Sequence, residues 1–325
     1  MSSLKQLAMA GLGSPLPYKI LQHRALRSCP LTILCYHTLG LDHGGPDVWT
    51  CLRSSEFCKQ IAFLRAHYDI VSLDEALKPA PNGSRPRVVL TFDDGDVGLF
   101  THLLPIVEAE ALPVTAYIAT RQIETGQPYW FDRVMNALQT PTSMRVDLSA
   151  VGQPIWTLPD TNGIARWQVI SNVLETLKTV DPDTREELMT QVVAQAPDPQ
   201  FGQQLGPMSL DQLKTLAESP YITIGAHSHC HNLLDQIPLE QAQDSAANSR
   251  HLLRKWTGQR VDHFAYPNGN HNAELQAAMA DVGFTSATVL DMALAQNGAD
   301  VFALSRLAIS RYDPLARFRL RLVGV

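Results

Sequence analysis

The 325-residue sequence predicts an α/β protein built on a parallel sheet, open or closed into a barrel. Three observations carry that prediction. Short apolar, β-rich runs recur along the chain, segments of helical period separate them, and the most chemically suggestive residues directly follow the runs.

The runs are 31–36 (LTILCY), 87–92 (RVVLTF), 113–118 (PVTAYI), 221–226 (YITIGA), 263–266 (HFAY) and 285–289 (TSATV). Their near-continuous apolar character is that of strands buried on both faces. After the first run, residues 56–67 place Phe57, Ile61 and Leu64 on one helical face. Ser72 with Glu75, and Ser209 with Gln212, fit capping boxes that satisfy orphan helix N–H groups. Residues about 135–205 break the rhythm with Pro141, Pro154, Pro159, Pro182, Pro197 and Pro199, and carry helical patterns near 164–179 and 183–196. They read as a helical insertion packed on one side of the sheet, with a small independent domain as the alternative. Residues 31–325 otherwise form one domain. Residues 1–30 read as a helical arm without a secretory leader, since Gly11, Gly13, Ser14, Pro15 and Pro17 interrupt the apolar positions.

Composition narrows the function classes. A formal charge of −6 leaves no basic footprint for nucleic acid. No stretch reaches the roughly 18 apolar residues of a membrane span. Five cysteines, an odd number without framework spacing, fit a reduced, cytoplasmic protein. Nothing in the sequence speaks to oligomeric state.

Two motifs carry chemistry. Thr91-Phe92-Asp93-Asp94-Gly95 ends an apolar run, where parallel α/β folds bind ligands. Adjacent carboxylates repel unless a positive charge sits beside them. A divalent cation, held by one Asp with the other free as a base, removes the conflict; an Asp-Gly turn would use the same residues for backbone reasons. The second motif, Gly225-Ala226-His227-Ser228-His229-Cys230-His231, follows another run. His227 and His231 are spaced i, i+4, which on a helical turn puts both imidazoles on one face to grip one ion. His229 points elsewhere at that spacing, and Cys230 reads as a packed thiol. Zinc suits two imidazoles and a carboxylate, although such sites also accept cobalt or nickel.

TFDDG followed by H-S-x-x-H resembles the polysaccharide deacetylases of the NodB-homology type, carbohydrate esterase family four. Cys35-Tyr36-His37-Thr38 is similar to that family's first-strand YH signature. Phe264-Ala265-Tyr266-Pro267-Asn268-Gly269 is similar to its third motif, and Ala280–Ala287 to the helix end and strand that follow. The resemblance covers about residues 31–310. It implies an incomplete (β/α)7 barrel, TIM-like, with Asp93 as general base and Asp94, His227 and His231 as metal ligands. It also implies an amino-sugar glycan as substrate, with Tyr266, Pro267 and the Asn268 N–H near the substrate and its oxyanion.

The sequence departs from that pattern twice. The family's third-motif Arg, which orients the base, is replaced by Ala265; Arg306 is the candidate substitute, with a rim salt bridge as the alternative. The family's late Leu-x-His, which supplies the general acid, is absent, because no histidine follows His271. His37 is the first candidate for that role, ahead of His271 and His229, and a neutral core histidine is its bland alternative. Trp130, beside Phe131, is a candidate sugar-stacking wall or ordinary packing. The expected function is metal-dependent removal of N-acetyl groups from amino sugars of a polysaccharide or glycan precursor. The alternatives are a deacylase of another small amide, deformylation included, and a non-catalytic glycan-binding relative.

Overall fold

The computed structural model describes residues 18, 20–22, 31–79, 85–197, 204–296 and 298–324. Most of the expected N-terminal arm therefore lies outside the described residues. Its Tyr18 is buried, with its hydroxyl 2.8 Å from that of Tyr68.

Twelve strands are described: β1 (Leu31–Tyr36), β2 (Thr38–Gly40), β3 (Cys51–Arg53), β4 (Asp69–Ile70), β5 (Arg87–Phe92), β6 (Val114–Ile118), β7 (Met144–Val146), β8 (Trp156–Leu158), β9 (Ile222–Ala226), β10 (His263–Ala265), β11 (Ser286–Thr288) and β12 (Leu307–Ala308). Eight of them form one sheet in the order β11-β10-β9-β6-β5-β1-β12, with β4 also pairing β5. Every pairing in it is parallel. The sheet curls into an incomplete (β/α) barrel, as the sequence predicts. The six apolar runs supply six of its strands, each within a residue or two of the expected limits.

The β1–β5 register runs unbroken from Leu31↔Arg87 to Tyr36↔Phe92. It brings Tyr36 and Phe92 into a stack with centroids 5.0 Å apart, against which Phe57 packs edge-on. Phe57 comes from the helix Ser54–His67, which buries the expected Phe57, Ile61 and Leu64 together with Gln60 and Phe63. Buried Gln60 is satisfied because its Oε1 accepts from the Tyr36 hydroxyl at 2.8 Å. The Ser209–Gln212 box is reciprocal. At Ser72 the hydroxyl half of the box forms, the side chain accepting from Glu75 N–H.

β12 is not among the six apolar runs. Two residues are too few for a periodic signal, and the chain that leads into it pairs through isolated contacts. Val289 N–H donates to Leu304 O at 2.9 Å and Leu304 N–H to Ala287 O at 3.0 Å, so this segment bridges β11 to β1. Arg306 therefore directly precedes this late strand.

The insertion contains the helices Ile164–Lys178 and Pro182–Gln195 and an unexpected antiparallel hairpin of β7 and β8. It builds its own apolar core with Leu138, Ile170, Val173, Met189 and Val192. Asn136 closes its base by exchanging two hydrogen bonds with the backbone of Leu205, at 2.8 and 3.0 Å. Buried Arg166 ties the interior through the carbonyls of Leu138, Thr142 and Pro159.

Candidate active site

The site residues stand where strands end, because each continues its strand's hydrogen-bond ladder by one step. Asp93 N–H donates to Tyr36 O at 3.0 Å and His227 N–H to Ile118 O at 3.0 Å. The turn Asp94-Gly95 then reverses the chain with φ values of 75° and 88°, so the Asp-Gly turn and the acidic site are one object. Among the described residues six non-glycine positions have positive φ, and four of them, Asp94, Ser228, His231 and Asn268, lie in these loops. Such conformations cost of order 1–3 kcal/mol each and gather where function holds them.

His227 and His231 do not share a helical turn. β9 stops at Ala226, and the loop that follows uses positive φ at Ser228 (63°) and His231 (55°) to swing the second imidazole back beside the first. Ser228 Oγ accepts from His231 N–H at 3.0 Å and fixes that turn. The ring centroids end 4.8 Å apart. His227 Nε2 lies 3.4 Å and His231 Nε2 3.2 Å from Asp94 Oδ1. The ligand atoms of Asp94, His227 and His231 all lie within 4.8 Å of one another. His227 Nδ1 donates to Ala265 O at 2.8 Å, which leaves the Nε2 lone pair directed at the cluster, the second-sphere arrangement metal-binding histidines use. Two imidazole nitrogens and one carboxylate oxygen fit a divalent ion with open coordination positions.

Asp93 lies beside this cluster and is almost fully buried. Arg306 NH1 donates to its Oδ1 and NH2 to its Oδ2, both at 2.7 Å. The fork is itself held: Nε donates to Val289 O at 3.1 Å, NH1 to Thr91 Oγ1 at 3.0 Å, and the plane lies over Tyr117. Burial pushes the Asp93 carboxyl up, but the Arg306 guanidinium outweighs it and holds the group below its ordinary value, so it is ionised at neutral pH. Burial also pushes the Cys35 thiol well up. It therefore remains S–H and donates to Asp93 Oδ2 at 3.4 Å. In the sequence Cys35 only flanks the Tyr36-His37 signature and reads as one more apolar strand residue.

A cavity of about 500 Å³ opens over Asp93, Asp94, His227 and His231. His37 lines it, its ring edge-on to Trp49 at 4.7 Å and its Nδ1 buried without a hydrogen-bond partner. Burial lowers the His37 pKa despite the opposing pull of Asp94 and Asp93, so the ring is neutral at neutral pH. Trp130 and Phe131 line the cavity, and so does Tyr129, whose hydroxyl donates to Asp94 O at 2.9 Å and whose ring stacks on Phe131. Asn268 and Gly269 form another part of the wall. Gly269 has φ 81°, and a Cβ there would meet Leu290 backbone at 2.5 Å, so only glycine fits.

Several expected residues fall elsewhere. Tyr266 and Pro267 are buried and do not line the cavity; Tyr266 packs on Phe264 in the core, because the strand-like run carries its ring inward. Arg306 sits behind Asp93, away from the cavity surface, so it meets the carboxylate and no substrate. His229 turns away to Thr120 Oγ1 at 2.9 Å, and exposed His271 bonds Gly269 O. Trp49 escaped notice because it lies in a loop without periodicity, which Arg311 and Tyr312 pin through Asp47 and Trp49 O. Asp96 escaped as well. Buried, it accepts from Thr38 Oγ1 (2.6 Å), Gly98 N–H (2.7 Å) and Gly206 N–H (2.8 Å), joining the Asp93–Asp94 loop to the chain that returns from the insertion.

Comparisons with known proteins bear on the family and the fold. The sequence model described as polysaccharide deacetylase matches residues 80–287, well over half of the chain. No curated protein matches by sequence. The fold is similar to that of the Streptococcus pyogenes deacetylase PplD in complex with acetate (14% identity, covering 90% of this chain and 97% of that chain, TM-score 0.58). It is also similar to BC0361, a polysaccharide deacetylase from Bacillus cereus (14% identity, 90% and 68% covered, TM-score 0.56), and to IcaB from Ammonifex degensii (16% identity, 91% and 98% covered, TM-score 0.55). At such identities these structures speak for the fold.

Proposed function

The chain belongs to the polysaccharide deacetylase family, and we propose that it hydrolyses the N-acetyl group of an amino sugar in a glycan or glycan precursor. The observation that carries this reading is the pairing at the cavity floor. Three ligand atoms converge within 4.8 Å, and a second, ionised carboxylate stands next to them in the grip of a buried guanidinium.

Asp94, His227 and His231 would hold the divalent ion, zinc by the character of its donors, which when bound polarises an acyl carbonyl and acidifies water. Asp93 accepts the proton of the attacking water as the C–O bond forms. Each of its oxygens has two lone pairs; Arg306 occupies one on each and the Cys35 thiol the second of Oδ2, so a site for that proton remains on Oδ1. Arg306 fixes the rotamer and keeps the carboxylate charged. The Asn268 N–H supports the charge that develops on the acyl oxygen. Collapse breaks the C–N bond, and the leaving amine takes a proton. That proton is the one Asp93 accepted, and we assign its relay to the neutral His37, whose unpartnered Nδ1, place in the cavity wall and approach to Asp93 within 4.8 Å support it. The aromatic wall of Trp130, Phe131 and Trp49 suits the faces of sugar rings. The four free cysteines among the described residues support a cytoplasmic setting, and none of the described helices is long and apolar enough to cross a membrane.

The test is acetate release from N-acetylated chito-oligosaccharides by the zinc-supplemented protein. Formate release from N-formyl amino sugars, and hydrolysis of simple amides, run in parallel. Acetate release that depends on zinc and on Asp93 is the expected outcome. Preferential formate release moves the protein to the deformylases, and sugar binding without turnover makes it a glycan-binding relative.

A further inference from the structure

The insertion brings a cation to the far wall of the cavity, and the mechanism above does not use it. Arg185, in the first turns of the helix Pro182–Gln195, lines the cavity with its guanidinium carbon 5.1 Å from the Trp130 ring centroid. It is half-buried and forms no ion pair among the described residues. The acids nearest in sequence are engaged elsewhere. Asp181 accepts from the N–H groups of Asp183 and Thr184, and Glu186 pairs with Arg133 at 2.9 Å. Lys178, at the end of the preceding helix, lines the same wall, held only by an exposed contact with Glu175.

A guanidinium stacked on an indole is oriented, with its N–H fork free for a planar or tetrahedral anion. Burial lowers the Arg185 pKa against the opposing pull of Glu186 and Asp181, neither of which forms an ion pair with it, so part of its desolvation cost is left for a ligand to offset. Lys178 and Arg185 outnumber Asp181, the one acid that lines this wall with them, so a ligand anion meets a net positive charge here. A cavity of about 500 Å³ has the size of a site for one small ligand, of the order of one or two sugar rings.

We propose that Arg185, with Lys178 beside it and Trp130 beneath it, is an anion subsite, and that the acylated sugar this protein deacetylates carries a phosphoryl or carboxylate substituent. The inference rests on the deacetylase reading of the floor and extends it to a substrate class.

Two measurements on the full chain test it. In the first, N-acetylglucosamine 1-phosphate, N-acetylmuramic acid and the neutral methyl N-acetylglucosaminide are titrated calorimetrically into chelator-treated protein. At least one charged sugar should bind roughly tenfold or more tightly than the neutral one, as a charge-assisted forked contact requires, and the better of the two identifies the anion. In R185Q that preference falls towards one, in R185K it falls part of the way, and in K178Q it falls less. In the second, kcat/KM for acetate release from the zinc-loaded protein should show the same ratio of charged to neutral substrate and the same order of variants. Equal affinities in the wild type, or an R185Q ratio like that of wild type, overturn the subsite. The two readings fail separately. Charged sugars that bind through Arg185 but release no acetate leave the subsite and remove the deacetylase; acetate released equally from all three sugars does the reverse.

Discussion

Asp93 receives two hydrogen bonds from Arg306 and one from the Cys35 thiol, yet remains the carboxylate next to the ligand cluster. Asp93→Asn keeps the shape and removes the base, so acetate release should fall by roughly 10² to 10⁴ while zinc content, measured by elemental analysis, is retained. Arg306→Met has a different signature. It leaves a buried carboxylate without its partner, which costs about 3–5 kcal/mol of stability, read as a fall in the urea midpoint. The double variant Asp93→Asn, Arg306→Met should recover part of that loss, since no unpaired charge then remains; a double variant as unstable as Arg306→Met alone would show that the pair does not act as a unit. His37→Ala should depress kcat far more than zinc affinity, and unchanged turnover would remove His37 from the proton path.

Loops and strand ends decide which residues of the sequence could be read. Asp93, Asp94 and His227 were legible because each directly follows a long apolar run, and strand ends in a parallel sheet converge. His231 was legible for an incomplete reason: spacing suggested a helical turn, whereas positive φ at Ser228 and His231 does the work, and backbone conformation of that kind has no signature in side-chain periodicity. β12 and the Leu304 contacts that aim Arg306 are too short to register, so the arginine could be suspected but not placed. Tyr266 misled because the same short motif supplies both a core ring and a cavity wall, and only the turn at Asn268 separates them. Asp96 belongs to this scale as well, since its carboxylate joins three segments far apart in sequence. Asp96→Ala should lower unfolding free energy by at least about 2 kcal/mol through two unsatisfied amides and a hydroxyl. Denaturant unfolding checks this, and a change below 0.5 kcal/mol, as is usual on an exposed surface, would contradict the staple.

The whole molecule divides its labour between a curled sheet that fixes the acidic floor and an insertion that raises one wall of the cavity over it. Both parts meet in the aromatic segment Tyr129–Phe131, where Tyr129 bonds the Asp94 carbonyl and Trp130 carries Arg185. Catalysis in this account requires that one carboxylate and two imidazoles on separate strand ends share a cation while their neighbour Asp93 stays out of the ligand set. Calorimetric titration of zinc into chelator-treated wild type and Asp94→Ala tests that most directly. One tight site per chain in the wild type, weakened by orders of magnitude in Asp94→Ala, is the predicted result. Zinc bound to Asp94→Ala with wild-type affinity would contradict it.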